Sequence, residues 1–141
     1  MAKITSIKGR LVYNSRGSKT VEVDVISDNK NLGRTCAPSG ASVGKYEAVS
    51  FANDNPEESL RILTENSKKF LGLEPNDLKV IHETIKSIDK TPNYSKVGGA
   101  IAYTVSIAAM ESASKAIGKP LFRLISEQSE YRFPIPLGNI L

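Results

Sequence analysis

The residues best suited to chemistry lie between Pro38 and Glu47. The stretch Pro38-Ser39-Gly40-Ala41-Ser42-Val43-Gly44 combines two glycines, two serines and a proline. Glycine lets backbone amides and carbonyls approach a ligand, and a serine hydroxyl can donate to phosphate or coordinate a hard cation. The spacing is not that of a P-loop, because Gly44 is followed by Lys45-Tyr46 and not by Lys-Ser or Lys-Thr. A long irregular loop in a small domain is uncommon unless it is functional or disordered. Composition alone therefore supports a ligand loop and a flexible surface connection equally. Arg16, in the turn cluster Asn14-Ser15-Arg16-Gly17-Ser18, suits an anion contact or a hairpin ion pair, and the structural role is favoured. Glu22 and Asp24 share one strand face and resemble paired carboxylates, although a solvated face explains them more simply. Cys36 is the only cysteine, which excludes an internal disulfide, and its apolar flanks suggest a small buried hydrophobe. His82 is the only histidine, so no multi-histidine metal site can be built; nothing in the sequence argues a Ser/His/Asp arrangement around it, and it reads as structural or solvated.

Composition narrows the classes further. The chain has 141 residues, 40% hydrophobic and 24% charged, which is ordinary globular composition for one domain. An eight-stranded α/β barrel, at about 250 residues, does not fit. No apolar run reaches the roughly 20 residues of a membrane span. Met1-Ala2-Lys3-Ile4-Thr5 lacks the apolar core of a signal peptide, so a cytoplasmic location is expected. Nineteen basic and 15 acidic residues give a net charge of +4. The lysines are scattered, with Lys68-Lys69 the densest pair, and there is no tryptophan, so nucleic acid is not an expected partner.

The elements that must position these residues fall in two blocks. Ile4 to Tyr13 reads as a strand, and Val21, Val23 and Val25 alternate with Glu22 and Asp24 as a second. Turn residues fill Asp28 to Gly33, and Arg34 to Ala37 gives a short third strand. Three strands on short turns predict an antiparallel meander with one wet face. Helices follow. Asn55-Pro56 with Glu58 is a helix start, with Leu60, Leu63, Ser67 and Leu71 on one face. Asn76-Asp77 starts a second helix carrying Leu78, Ile81, Ile85 and Ile88. Gly99 to Ile117 is the longest helical stretch, with Ile101, Val105, Ala108, Ala109, Ser112 and Ala116 on one face, and Gly118-Lys119-Pro120 stops it. Leu121 to Ile125 suggests a short further helix. Phe133 to Leu141 is apolar and extended by its prolines, and an end of this kind reads as cut, not finished. The predicted class is α+β: a three-stranded antiparallel meander followed by a helical bundle.

Several segments resemble enolases. Asn14-Ser15-Arg16-Gly17 with Thr20-Val21-Glu22-Val23 resembles their amino-terminal hairpin, Asp-Ser-Arg-Gly-Asn-Pro-Thr-Val-Glu-Val. Pro38 to Gly44 with Glu47-Ala48 is similar to the loop Pro-Ser-Gly-Ala-Ser-Thr-Gly followed by Glu-Ala. Asp89-Lys90-Thr91-Pro92-Asn93-Tyr94-Ser95 resembles Asp-Gly-Thr-Pro-Asn-Lys-Ser, and Pro120-Leu121-Phe122 and Pro134-Ile135-Pro136-Leu137 follow in order. Val43 replaces the loop threonine, and Val49 to Asn55 replaces Leu-Glu-Leu-Arg-Asp-Gly-Asp.

The resemblance implies an enolase-type capping domain over residues 1–132, with 133–141 starting the segment that leads into a carboxyl-terminal barrel. It implies a magnesium-dependent lyase that interconverts 2-phosphoglycerate with phosphoenolpyruvate and water in glycolysis and gluconeogenesis. Ser39, Gly40, Ala41 and Ser42 would close over the site, Ser42 would bind the second Mg2+, and Arg16 would support the loop. Arg10 and Glu22 match positions that pair across a homodimer. The metal carboxylates, catalytic lysines and general-acid glutamate of enolases lie beyond the equivalent of Leu141, so this length of chain is expected to be inactive alone. A stand-alone enolase-like binding module is the alternative, and a parent acting on another acid substrate is a third reading.

Overall fold

A computed structural model describes residues 1–40, 44–126, 128 and 130–138. Strands β1 (Ile4–Tyr13), β2 (Lys19–Ser27) and β3 (Asn31–Cys36) form one antiparallel sheet in sequence order. Val21, Val23 and Val25 are fully buried while Glu22 and Asp24 lie on the other, wetter face, the alternation of a half-covered sheet. Three α-helices of at least eleven residues follow: α1 (Pro56–Asn66), α2 (Leu78–Ile88) and α3 (Gly99–Ile117). A five-residue α4 (Leu121–Ile125) comes last. The core joins Ile4, Ile7 and the β2 valines to Leu63, Phe70, Ile81, Ile85, Ile101 and Val105. The predicted α+β class holds. Among the described residues no helix is long and apolar enough to cross a membrane.

Local chemistry sets the helix ends. The Asn55 side chain accepts from the backbone N–H groups of Glu57 and Glu58, and Pro56 occupies the first turn. Asp77 accepts from Val80 N at 3.1 Å to start α2, and Gly118 ends α3 in the left-handed region at φ 66°. We expect Asn55→Ala to lower stability by about 1 kcal/mol in urea unfolding, the usual loss for an N-cap.

Four expectations need correction. Asn31 to Gly33, read as turn, belong to β3. Gly33 is needed there for space: a Cβ would stand 1.9 Å from the Ala108 carbonyl oxygen. The α1 face does not run on through Ser67 and Leu71. The chain tightens into a 3-10 turn at Ser67–Phe70, which buries Phe70 and leaves Leu71 exposed. Helix α3 is buried well beyond one face, with Thr104, Ser106, Met110 and Ala113 also covered, because it touches both the sheet and helices α1 and α2. Cys36 is exposed, and the next residue, Ala37, takes the buried place.

Helix α3 also covers the free edge of β3. Arg34 N donates to Glu111 Oε2 at 2.6 Å, Lys115 Nζ to the Leu32 carbonyl at 2.6 Å, and Ser112 Oγ to the Asn31 carbonyl at 2.7 Å. An unpaired strand edge is thereby closed by side chains.

Candidate functional site

The loop between β3 and α1 is held at both ends. At the first end Ala37 N donates to the Val21 carbonyl at 2.9 Å, and the buried Thr20 hydroxyl donates to the Ala37 carbonyl at 3.0 Å. Pro38 has no N–H to extend the ladder, so the chain leaves the sheet. Asn14, from the β1–β2 turn, then donates its Nδ2 to Ser39 Oγ at 2.8 Å.

At the other end Gly44 and Glu47 form a local turn. The Glu47 carboxylate accepts from Gly44 N at 2.9 Å, and Glu47 N donates to the Gly44 carbonyl at 3.2 Å. Val49 N donates to the Asn93 carbonyl at 2.9 Å. The first amides of α3 are satisfied by the same loop, Gly99 N by Val49 O at 2.7 Å and Ala100 N by Ser50 O at 3.1 Å. That end of α3 is closed and offers no anion site. Gly98, at φ 90°, permits the approach, since a Cβ would lie 2.8 Å from Ser50 O and 2.9 Å from Phe51 Cα.

The segment 89–97 braces this junction. Asp89 is 1% exposed and its carboxylate accepts from Thr91 N, Thr91 Oγ1, Lys96 N and Val97 N at 2.5–2.9 Å. Burial opposes its ionisation, but the Thr91 hydroxyl and the three backbone amides outweigh this and hold it below the usual carboxylate range.

Between the two anchors lies a cleft of about 350 Å³, lined by Ser39, Gly40, Glu47, Phe51, Gly99 and Tyr103 among others. A larger hollow of about 610 Å³ lies at the opposite end of α3, between Ile117, Arg123 and Tyr131. At 1.5 Å per residue the 19 residues of α3 separate the two by roughly 28 Å. The larger hollow has no part in the loop.

The predicted site residues separate into groups. Ser39 and Gly40 line the cleft, and Arg16 lies exposed in the turn that contacts Ser39 through Asn14. Ala41 and Ser42 lie outside the described residues. Arg10 and Glu22 are elsewhere, on the outer sheet face, where they are cross-strand partners and form an ion pair. Arg10 also reaches Asp24 at 2.9 Å, and Arg34 meets Asp24 at 2.7 Å. The Arg34 and Arg10 guanidiniums hold the Asp24 carboxyl below its usual range. Glu22 and Asp24 therefore form an ion-pair network, not an acid–base pair. Partial shielding and the nearby Glu22 charge push the Cys36 thiol up, away from a reactive thiolate. His82 is exposed, with Nε2 3.1 Å from Ser106 Oγ. Sequence reasoning does not pick out Asn14, Gly98 or Tyr103 as site residues. The Asn14-Ser15-Arg16 turn is visible in the sequence, but its partner across 25 residues is not.

Comparison with known families matches residues 4–125 to "Enolase, N-terminal domain". The chain belongs to this family. The enolase of Halorubrum lacusprofundi is 36% identical over 143 residues, covering 100% of this chain and 35% of the relative. That of Methanothermobacter thermautotrophicus is 37% identical over 142 residues, with 98% and 33% coverage. That of Anaplasma marginale is 33% identical over 150 residues, with 100% and 35% coverage. The chain thus spans about a third of the length of the curated relatives it matches. Within the enolase N-terminal domain, the family match takes in the hairpin, the pinned loop and the Asp89 brace together.

Proposed function

We propose that this chain is the capping domain of an enolase, one that supplies the active-site loop for interconversion of 2-phosphoglycerate and phosphoenolpyruvate. The observation that carries the reading is the loop between β3 and α1, held by the β1–β2 turn at Ser39 and by the start of α3 at Val49 and Ser50, in a chain of the enolase family. In such a reaction a proton leaves the carbon beside a carboxylate, and magnesium, when bound, offsets the negative charge that builds up. The loop offers serine hydroxyls and backbone carbonyls, the hard oxygen donors magnesium prefers. Among the described residues no group of three or more His, Cys, Asp or Glu gathers into a metal site. The donor type fits and the donor number does not, so Ser42 would be one ligand of an ion held chiefly by other groups.

The cap's own work is mechanical and electrostatic. The two anchors confine the loop to a short span, so seating it over substrate costs little chain entropy. A seated loop excludes water from a reactive intermediate. Arg16 brings positive charge to the turn beside Ser39. Residues 1–132 form the cap, and 133–141 begin the passage to a barrel. Phe133, Ile135 and Leu137, each at least 90% exposed, support this, because apolar side chains in that state call for a cover. Arg10 and Glu22, on an open face, would reach a second subunit by exchanging their present ion pair. A cytoplasmic location follows from the glycolytic role.

Two tests bear on this. The 141-residue chain with magnesium and 2-phosphoglycerate is expected to show no phosphoenolpyruvate above background, and clear turnover would overturn the assignment of catalysis to other parts of the enzyme. The coding sequence after Leu141 is expected to continue into a barrel with acidic strand ends.

A further inference from the structure

Strand β1 lies at one edge of the sheet, with β2 on one side of it only. Hydrogen bonds at its two ends fix which backbone groups face outward. Asn14 N donates to the Ser18 carbonyl at 2.9 Å, so residue 14 faces β2, and in an antiparallel ladder residues 12, 10 and 8 do the same. Ile4 points the other way. Its N–H donates to Leu73 O at 2.9 Å and its carbonyl accepts from Gly72 N at 2.8 Å. The register shift between Ile4 and Ser6 separates the two settings. The amides and carbonyls of Ile7, Gly9, Leu11 and Tyr13 therefore face away from the sheet. Among the described residues no other backbone group bonds them, in contrast to the β3 edge, which Glu111, Ser112 and Lys115 close.

This open edge has no proline to interrupt it. Leu11 and Tyr13 share a face with Gly9 and are 38% and 72% exposed. Beside Gly9 a groove of about 210 Å³ runs between β1 and the end of α1, lined by Ile7, Leu63, Thr64 and Ser67 among others.

We propose that this edge is a self-recognition surface, on which the β1 strands of two copies pair antiparallel about a two-fold axis to make one six-stranded sheet. Charge selects the register. Centring on Gly9 sets Lys8 against Arg10 of the second copy, and centring on Arg10 sets two arginines face to face. Like charges directly opposite destabilise a sheet. Centring on Leu11 sets Arg10 against Val12 and Lys8 against Asn14, and no like charges meet. It also brings Tyr13 of each copy opposite Gly9 of the other, so that a ring covers the residue without a side chain and enters the groove beside it. Leu11 then bonds Leu11 and each Gly9 bonds a Tyr13, through both backbone groups in every case. Registers centred farther along in either direction form fewer bonds or set Lys8 against itself. Arg10 keeps Glu22 and Asp24, which offset the charge it brings to the edge. The proposal goes beyond the enolase reading and does not depend on it.

Backbone amide exchange of the 141-residue chain, followed over about a hundredfold range of protein concentration beside sedimentation, tests this. As concentration rises the chain should become a dimer, with the Gly9, Leu11 and Tyr13 amides slowing about tenfold or more while Ile7 is unchanged. Leu11→Pro removes an outward N–H that β2 does not use, so it should abolish the dimer and leave the Lys8, Arg10 and Val12 amide signals in place. Tyr13→Ala, at an exposed side chain, is a second variant that spares the backbone and should weaken association about tenfold. A chain that stays monomeric throughout would overturn the proposal. So would a dimer in which Gly9, Leu11 and Tyr13 exchange as in the monomer or Ile7 slows with them, or parent-like association by both folded variants.

Discussion

Gly33→Ala is expected to destabilise the domain by at least about 3 kcal/mol, at the upper end of what overpacking costs, because backbone and not side chain must give way. A Cβ at this position would lie 1.9 Å from Ala108 O, 2.5 Å from Ser112 N and 2.9 Å from Ala108 C. All three atoms belong to α3, the helix that also satisfies the β3 edge through Glu111, Ser112 and Lys115. Lifting the helix far enough to admit a methyl group would break those hydrogen bonds as well as the core contact. Gly17→Ala is the control. Gly17 has φ 73°, and an added methyl group there would meet nothing within 4 Å, so backbone strain alone acts and the loss should stay near ~1 kcal/mol. Urea midpoints of the two variants decide the matter. A Gly33→Ala protein within about 1 kcal/mol of the parent would mean that α3 does not sit this close to β3.

The second large effect is at Asp89. Asp89→Asn retains the shape but turns one oxygen into an NH₂, whereas one carboxylate oxygen accepts from Thr91 N at 2.9 Å and the other from Lys96 N and Val97 N at 2.9 and 2.7 Å. In either orientation of the amide at least one backbone donor would face a donor, and a loss of about 2–4 kcal/mol is expected. The pH dependence gives an independent check. Because the folded-state pKa of Asp89 is lowered, its contribution is fully present above the unfolded value of about 3.9 and is lost as pH falls through the folded value. The gap in stability between parent and Asp89→Asn should therefore be constant above about pH 5 and narrow as pH drops below about 4. Asp24, also lowered in pKa, is present in both proteins and cancels from the difference. A gap that stays constant into strong acid would show that Asp89 is not held as the carboxylate.

These two residues also show what a sequence conveys and what it does not. The Asn55 cap, the limits of α3 at Gly99 and Ile117 and the alternation of β2 are all readable, because each depends on neighbours in the chain. Gly33 reads as a turn because glycine favours turns, whereas its place is decided by a helix 75 residues later. Cys36, expected to be buried, is exposed and Ala37 is buried instead, because the chain leaves β3 between them, with Ala37 bonded to Val21 and Thr20. Arg10 and Glu22 carry an expectation about a second subunit, yet their register places them opposite each other within one sheet. The loop is legible as a composition and as a family resemblance. Its anchors are not, since Asn14, Asn93 and Gly99 reach it from three separate parts of the chain.

We propose that this domain completes an enolase site through the loop containing Ser42. The most direct measurement joins this chain to the remaining two-thirds of the Halorubrum lacusprofundi enolase and assays magnesium-dependent formation of phosphoenolpyruvate from 2-phosphoglycerate, with and without Ser42→Ala. The joined protein is expected to turn over, and Ser42→Ala to reduce the rate by about 100-fold or more, the scale lost when a group that stabilises developing charge is removed. A folded joined protein in which Ser42→Ala runs at the parent rate would contradict the account.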